Sequence, residues 1–285
     1  MSTKIIVDSA CDLPQYIMNK YDIIELPFNI HIDNTSYLDG ISIETKDVYS
    51  ALKKNKSPKT SQVNPQSFRK IFTEYAEQGY DIIYISFSSE MSSAYQTGKL
   101  MAEDVKKQYP EVEIDVIDGK SGSVGTGIIV YKAAQLLAEG WNRLEVIKRI
   151  NFWVEHIEHF FILDNLKTLQ RGGRISKTKS FIGNVLNIKP VLQVKDGKIE
   201  LFKKVRGTKR ALNALVKLLQ EKSFNLKDQI IGIAHADDLK NAEKLKEKIQ
   251  NMGGEIFCME LISSVLGAHL GIGGIGVFFL NEGYE

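Results

Sequence analysis

Five serine hydroxyls crowd into eight positions of the stretch DIIYISFSSEMSSAYQTG, residues 81–98. Ser86, Ser88, Ser89, Ser92 and Ser93 follow an apolar, β-branched run, and a helical pattern begins near Ala94. The run (Ile82, Ile83, Tyr84, Ile85) predicts a buried parallel strand. A strand that delivers hydroxyls to the start of a helix builds an anion site. The first helical N–H groups lack intrahelical partners, the dipole favours negative charge, and the serines add donors. Capping by one serine, with the others as loop residues, is the structural alternative. The density of hydroxyls favours an anion.

His269 is the second group of interest. It stands in GAHLG, residues 267–271, where flanking glycines let the backbone approach a ligand closely. An imidazole there can donate to a carboxylate or carry a proton; a tight turn holding a satisfied histidine is the plainer account. Other patterns fail on context. GIGGIG, residues 271–276, satisfies G-x-G-x-x-G, but a strand-like VFFL follows where the dinucleotide fingerprint needs a helix. Gly119-Lys120-Ser121 ends like a phosphate-binding P-loop, yet Ile114 occupies the position of its first glycine. Glu155, His156, Glu158 and His159 have the spacing of a helix face, but a solvated helix end explains them better than a metal does. No serine sits in G-x-S-x-G. Asp237 and Asp238 read as caps of a helix that starts near Leu239.

Composition bounds the class. With 285 residues, 43% of them hydrophobic and 25% charged, the chain can bury a sizeable core, and two lobes are expected. The opening MSTKIIVDSACDLP meets an aspartate after three apolar residues, unlike a secretory signal, and no apolar run is long enough to span a bilayer. Cys11 and Cys258 show no metal or redox spacing and read as reduced thiols of a cytoplasmic protein. The net charge of +2 conceals an asymmetry: residues 167–210 hold 13 Lys and Arg against Asp196 and Glu200, a surplus of 11. Such a strip suits an anionic partner or a phosphate-bearing substrate. It carries only Phe181 and Phe202 as aromatics and no nucleic-acid motif, so nucleic acid ranks low.

These groups need elements to hold them. Strands are predicted at 4–8, within 23–32, and at 82–86 and 112–117, with helices at 65–78, 93–107, to 139, and 143–158. That alternation implies a parallel sheet covered on both faces, with ligands at the carboxyl ends of its strands. The second half reads as a strand at 160–163 and a hairpin of 191–194 and 199–203 across Asp196-Gly197. A helix at 208–221, a strand at 229–234, a helix at 239–252 and strands at 255–260 and 276–280 follow. The junction falls near residue 158, giving an N-terminal α/β lobe at 1–158 and a C-terminal one at 159–285 with a fixed cleft between.

At this point the residues resemble one family. DSACDLP, residues 8–14, resembles the opening signature of DegV proteins, and Thr60-Ser61-Gln62 stands where that family carries its T-S-Q loop. Residues 88–96 resemble its serine-rich loop, LQRGGRIS at 169–176 its R-G-G-R-I-S segment, and residues 267–277 its C-terminal G-x-H-x-G loop. Order and spacing hold over essentially the whole chain, as one domain spanning about 3–283. Departures are Ser93 and Val63 where the family has glycine and proline, and Ala268 and Ile272 where it has threonine and proline.

The resemblance implies a two-lobed α/β fold, with a parallel-sheet N-terminal lobe, a mixed α/β C-terminal lobe and the ligand between them. It implies a bacterial, cytoplasmic, non-catalytic protein of fatty acid metabolism and phospholipid synthesis that needs no cofactor and buries a long-chain fatty acid such as palmitate or oleate. Thr60, Ser92 and His269 would hold the carboxylate, with Ser61 and Ser93 beside them. Arg171, Arg174 and Arg206 would dock an ATP-dependent fatty acid kinase subunit that phosphorylates the carboxylate. A transient contact with a membrane surface fits the same picture. Phe161, Ile162, Ile182, Val185, Leu186 and Phe278 are candidates for the tunnel wall, although core packing explains each equally well. Two other readings compete: an enzyme using Asp8, His269 and the arginines on a small carboxylated or phosphorylated metabolite, and a protein that only docks partners through its basic strip.

Overall fold

The computed structural model describes residues 2–175 and 187–284. The chain opens with β1 (Thr3–Asp8), α1 (Gln15–Lys20), β2 (Ile24–Leu26), β3 (Asn29–Ile32), β4 (Thr35–Leu38), α2 (Thr45–Lys53) and β5 (Lys59–Ser61). It continues through α3 (Pro65–Glu77), β6 (Asp81–Ser86), α4 (Ala94–Lys106), β7 (Ile114–Asp118), α5 (Val124–Ala138) and α6 (Arg143–His156). The rest comprises β8 (Ile157–Ile162), α7 (Lys167–Arg171), β9 (Ile188–Lys195), β10 (Lys198–Arg206), α8 (Thr208–Lys222), β11 (Ile230–His235), α9 (Leu239–Gln250), β12 (Glu255–Leu261), α10 (Ser264–Leu270) and β13 (Ile275–Leu280).

Two large sheets result, as the α/β reading anticipates. The first is wholly parallel, in the order β2-β1-β6-β7. One of its faces sets Ile6, Ile82 and Tyr84 against Phe68 and Phe72 of α3, and the other sets Ile5, Val7, Ile83 and Ile85 against α5 and α6. The second sheet has six strands, in the order β10-β9-β8-β13-β11-β12, mixed because only β11 and β12 run parallel. A small antiparallel sheet, β4-β3-β5, which the sequence reading does not resolve, carries Thr60 on its edge strand.

Helix α5 joins the sheets, and its sequence shows why. VGTGIIVYKAAQLLA is apolar nearly all round, the pattern of a helix buried on more than one side. Its side chains reach β1 on one side and β8, β11 and β13 on the other. Two glycines permit this. A Cβ on Gly127 would meet the Asp12 carbonyl and Leu13, whereas one on Gly125 would meet His159 of β8. Close approach to the β8 layer therefore requires Gly125 to lack a side chain, whereas Gly127 is merely tight.

Three local readings are corrected. Helix α6 stops at His156, so His159 is not part of a solvated helix end; it is a buried strand residue, 2% exposed. Strand alternation aims His159 and Phe161 at the space between the sheets and turns Ile162 to the opposite face, into the α8 core. His269 belongs to the last turn of helix α10, and within 267–277 the positive φ angles fall at Gly271 and Gly273 beyond it. Ile182, Val185 and Leu186 lie outside the described residues.

Candidate functional site

Thr60 and His269, 209 positions apart, meet where the small sheet faces α10: Thr60 Oγ1 and His269 Nε2 are 2.7 Å apart. With Ser92, Gln62 and Arg174 they form the polar end of a cavity of about 430 Å³ whose other walls are apolar. Gln62 is anchored by the Thr97 hydroxyl, which donates to its Oε1 at 3.1 Å. Ser92 lies just ahead of α4, and its Oγ accepts from the Ala94 N–H at 3.2 Å, which leaves the hydroxyl hydrogen free to point elsewhere. Two hydroxyls, a helix start and an imidazole thus share one small space.

The imidazole is neutral at pH 7. Burial holds His269 down at about 4, and the positive charges of Arg174 and Arg171 add to the effect. A neutral ring with its proton on Nε2 donates to Thr60 Oγ1, and Thr60 O–H is then available to donate to an anion. The neighbouring R-G-G-R segment explains the ring's placement. Gly172 closes α7, and a Cβ there would stand 2.3 Å from His269 Nδ1. Gly173 has φ +74° and nothing within 4 Å, so it is needed for the turn alone.

The remaining expected residues are placed differently. Ser61 is exposed on β5, its Oγ 2.9 Å from His31 Nε2, because successive strand residues face opposite ways. Ser93 is exposed as the N-cap residue of α4 and makes no side-chain capping bond. Neither lines the cavity. Arg171 is exposed and donates to Ser57 Oγ at 2.8 Å. Arg174 turns inward, donating from Nε to the Met91 carbonyl at 3.1 Å and from Nη1 to the Gly172 carbonyl at 2.6 Å, so it is a wall of the polar cavity. Arg206 is exposed at the end of β10.

The serine-rich loop is mostly structural. Ser88 Oγ donates to the Gly197 carbonyl at 2.7 Å, tying the loop to the β9–β10 hairpin. Ser89 binds Asp118 through its N–H and its hydroxyl, and Ser86 is fully buried. Only Ser92 of the five lines the polar cavity. The aspartates of DSACDLP are structural too. Asp8 accepts from Tyr84 O–H and Phe87 N–H, each at 2.8 Å. Asp12 accepts from the Ser263 N–H at 3.0 Å, bridging β1 to the segment that carries α10. Burial pushes Asp8 up to about 6 and Asp12 to about 7. Neither lines a cavity. Among the described residues no group of three His, Cys, Asp or Glu could hold a metal.

Phe87, Met91, Ile199, Leu266 and Leu270 line the polar cavity and also a second one of about 530 Å³. That space is apolar, walled further by Phe161, Leu163, Val194, Ile262, Ile275 and Phe278. Phe161 and Phe278 are two of the expected tunnel residues. Met91, Leu266 and Leu270 carry no signal for this place, since nothing in a sequence separates an apolar residue that lines a cavity from one that fills a core.

The recess that holds Thr60, Ser92 and His269 thus adjoins an apolar space between the two sheets. The chain belongs to the DegV family: the family model, described as "Uncharacterised protein, DegV family", matches residues 2–282. A DegV domain-containing protein of Clostridium perfringens is 38% identical over 289 residues, covering 99% of this chain and 98% of that one. Among solved structures, a DegV lipid binding protein from Thermotoga maritima superposes with a TM-score of 0.88 at 27% identity, covering 100% of both chains. A stearic acid-binding protein from Eubacterium ventriosum superposes at 0.89 with 25% identity, covering 97% of each. No described helix is long and apolar enough to cross a membrane.

Proposed function

We propose that this protein binds a long-chain fatty acid, with the carboxylate at Thr60, Ser92 and His269 and the acyl chain in the adjoining apolar cavity. The observation that carries the reading is that the cavity holding Thr60, Ser92 and His269 adjoins an apolar one, the two sharing five side chains. The lipid-binding and stearic acid-binding relatives of the same fold support it. A carboxylate met by neutral hydroxyls and helix-start amides gains roughly 1.5–3 kcal/mol per donor. The tail adds about 0.8 kcal/mol for each buried methylene, so a long chain dominates the affinity. Asp8, which an enzyme of small metabolites would recruit, is engaged by Tyr84 and the Phe87 N–H and lines neither cavity.

Mass spectrometry of an organic extract of the purified, denatured protein tests this directly. A fatty acid at near one equivalent is expected. A clean extract from protein that also refuses added palmitate and oleate would return the small-metabolite enzyme to first place.

The finer part of the proposal is presentation of the bound carboxylate to a separate ATP-dependent kinase subunit. Exposed Arg171, next to the Gly172 that abuts His269, and exposed Arg206, both on the basic strip, support it. Replacing Arg171 and Arg206 by alanine is expected to leave fatty-acid affinity within about twofold, because exposed charges contribute little to a buried site. Phosphorylation of the bound acid by the cognate kinase should fall at least tenfold. Undiminished turnover would remove the docking role.

A further inference from the structure

The apolar cavity ends at a wall with polar space behind it. His159 of β8 and Val194 of β9 line that cavity, and both also line a third pocket of about 510 Å³. The walls of this third space include Lys120, Glu155, Lys195, Asp196 and Asn281. Neither His159 nor Val194 lines the recess that holds Thr60 and His269. The two side chains stand where the apolar cavity borders this third pocket, not where it borders that recess.

The wall is fixed. His159 Nε2 lies 2.6 Å from Ser121 Oγ, and the ring meets Phe278 edge-on with centroids 5.6 Å apart. Its position in the sheet is set by register, opposite Phe278 on β13. Burial keeps the imidazole neutral, at about 4, so the wall carries no charge into the apolar space.

We propose that His159 and Val194 form a partition that sets the longest acyl chain this protein binds. The inference rests on the fatty-acid reading above. Each methylene that the cavity buries improves affinity roughly fourfold. A chain that reaches the imidazole can gain no more: the next carbon must displace a bonded ring, and beyond the ring it meets a polar pocket where apolar surface stays unrewarded. Affinity should thus climb with chain length to one maximum and then fall.

The test measures dissociation constants for laurate, myristate, palmitate, stearate, icosanoate and docosanoate in the unaltered protein and in His159→Ala, Val194→Ala and Ser121→Ala. In the first two variants the maximum is expected to move to a longer acid, and the longer acid should gain roughly tenfold relative to the unaltered protein's optimum. The opened variants should also bind ω-hydroxyicosanoate more tightly than icosanoate, because its hydroxyl reaches the polar pocket, while the unaltered protein prefers icosanoate. Ser121→Ala removes the ring's partner but keeps both wall side chains, and should keep the original maximum. Should His159→Ala fail to fold, Val194→Ala carries the comparison. An unmoved maximum in the wall variants overturns the partition, as does an equal shift in Ser121→Ala, which would mean loosening rather than opening. If no acid binds at any length, the fatty-acid reading falls and the partition with it.

Discussion

Gly125→Ala is expected to lower the thermal midpoint by roughly 5–10 °C, well beyond the loss from Gly127→Ala in the same helix. Helix propensity argues the other way, since alanine is favoured over glycine by about 1 kcal/mol in a helix interior. Sterics decide the sign. The added Cβ would stand 2.4 Å from His159 Nε2 and 2.7 Å from Ser121 Oγ, where no real Cβ contact is found. Separating the two layers costs about 1–3 kcal/mol for overpacking. Breaking the bond between Ser121 and His159 adds about 1–3 kcal/mol, because the imidazole is buried. The net loss is roughly 3 kcal/mol. Gly127→Ala is the comparison: its nearest atom, the Asp12 carbonyl oxygen, lies at 3.2 Å, so a shift of a few tenths of an ångström suffices and the propensity gain offsets most of the cost. Calorimetry of the two variants should rank Gly125→Ala well below Gly127→Ala. Equal midpoints would mean that α5 does not clamp the two sheets as tightly as these distances require.

That clamp also shows which parts of the fold a sequence can express. Strands β1, β6 and β7 are legible because each is a short β-branched run, and α3 because Asn64 and Pro65 mark its start. The mixed sheet is legible as strands, and the Asp196-Gly197 turn fixes one hairpin. Strands β2 and β3 fall within the expected 23–32 stretch, whereas β4 and β5 escape because they are three or four residues long and largely exposed, too short for a period to show. Helix α10 escapes for a different reason. Gly267 and Gly271 frame His269 as if in a loop, yet Gly267 is helical and is small because Tyr49 Oη stands where its Cβ would be, 2.8 Å away.

The candidate site divides in the same way. Hydroxyls and histidine were picked out by type and by family resemblance, and Thr60, Ser92 and His269 do line one recess. Ser61 and Ser93 differ from their neighbours only in the direction of the side chain, which depends on strand phase and on where a helix begins within one residue. Arg174 is the reverse case: a cation assigned to an outer surface is drawn inside by two backbone carbonyls that become neighbours only in the folded chain.

The two glycines of the R-G-G-R segment should separate ligand affinity from stability. Gly172→Ala is expected to weaken fatty-acid binding roughly 10- to 100-fold, the equivalent of losing one hydrogen bond to a charged acceptor. Its backbone, at φ −69°, suits alanine well, so the penalty comes from contact and not from conformation. The new methyl would lie 2.3 Å from His269 Nδ1 and 3.2 Å from its Cε1. Those atoms belong to a ring fixed at the end of α10, and relief requires the ring to swing away from Thr60. Thr60 then loses the partner that orients its hydroxyl toward an anion. Gly173→Ala meets nothing within 4 Å but must hold φ +74°, which costs about 1 kcal/mol of stability and touches no cavity residue. Titration with palmitate alongside thermal melts should therefore show lost affinity in the first variant and a lowered midpoint with near-normal affinity in the second. Normal affinity in Gly172→Ala would detach His269 from carboxylate binding and leave Thr60 and Ser92 to hold the anion without it.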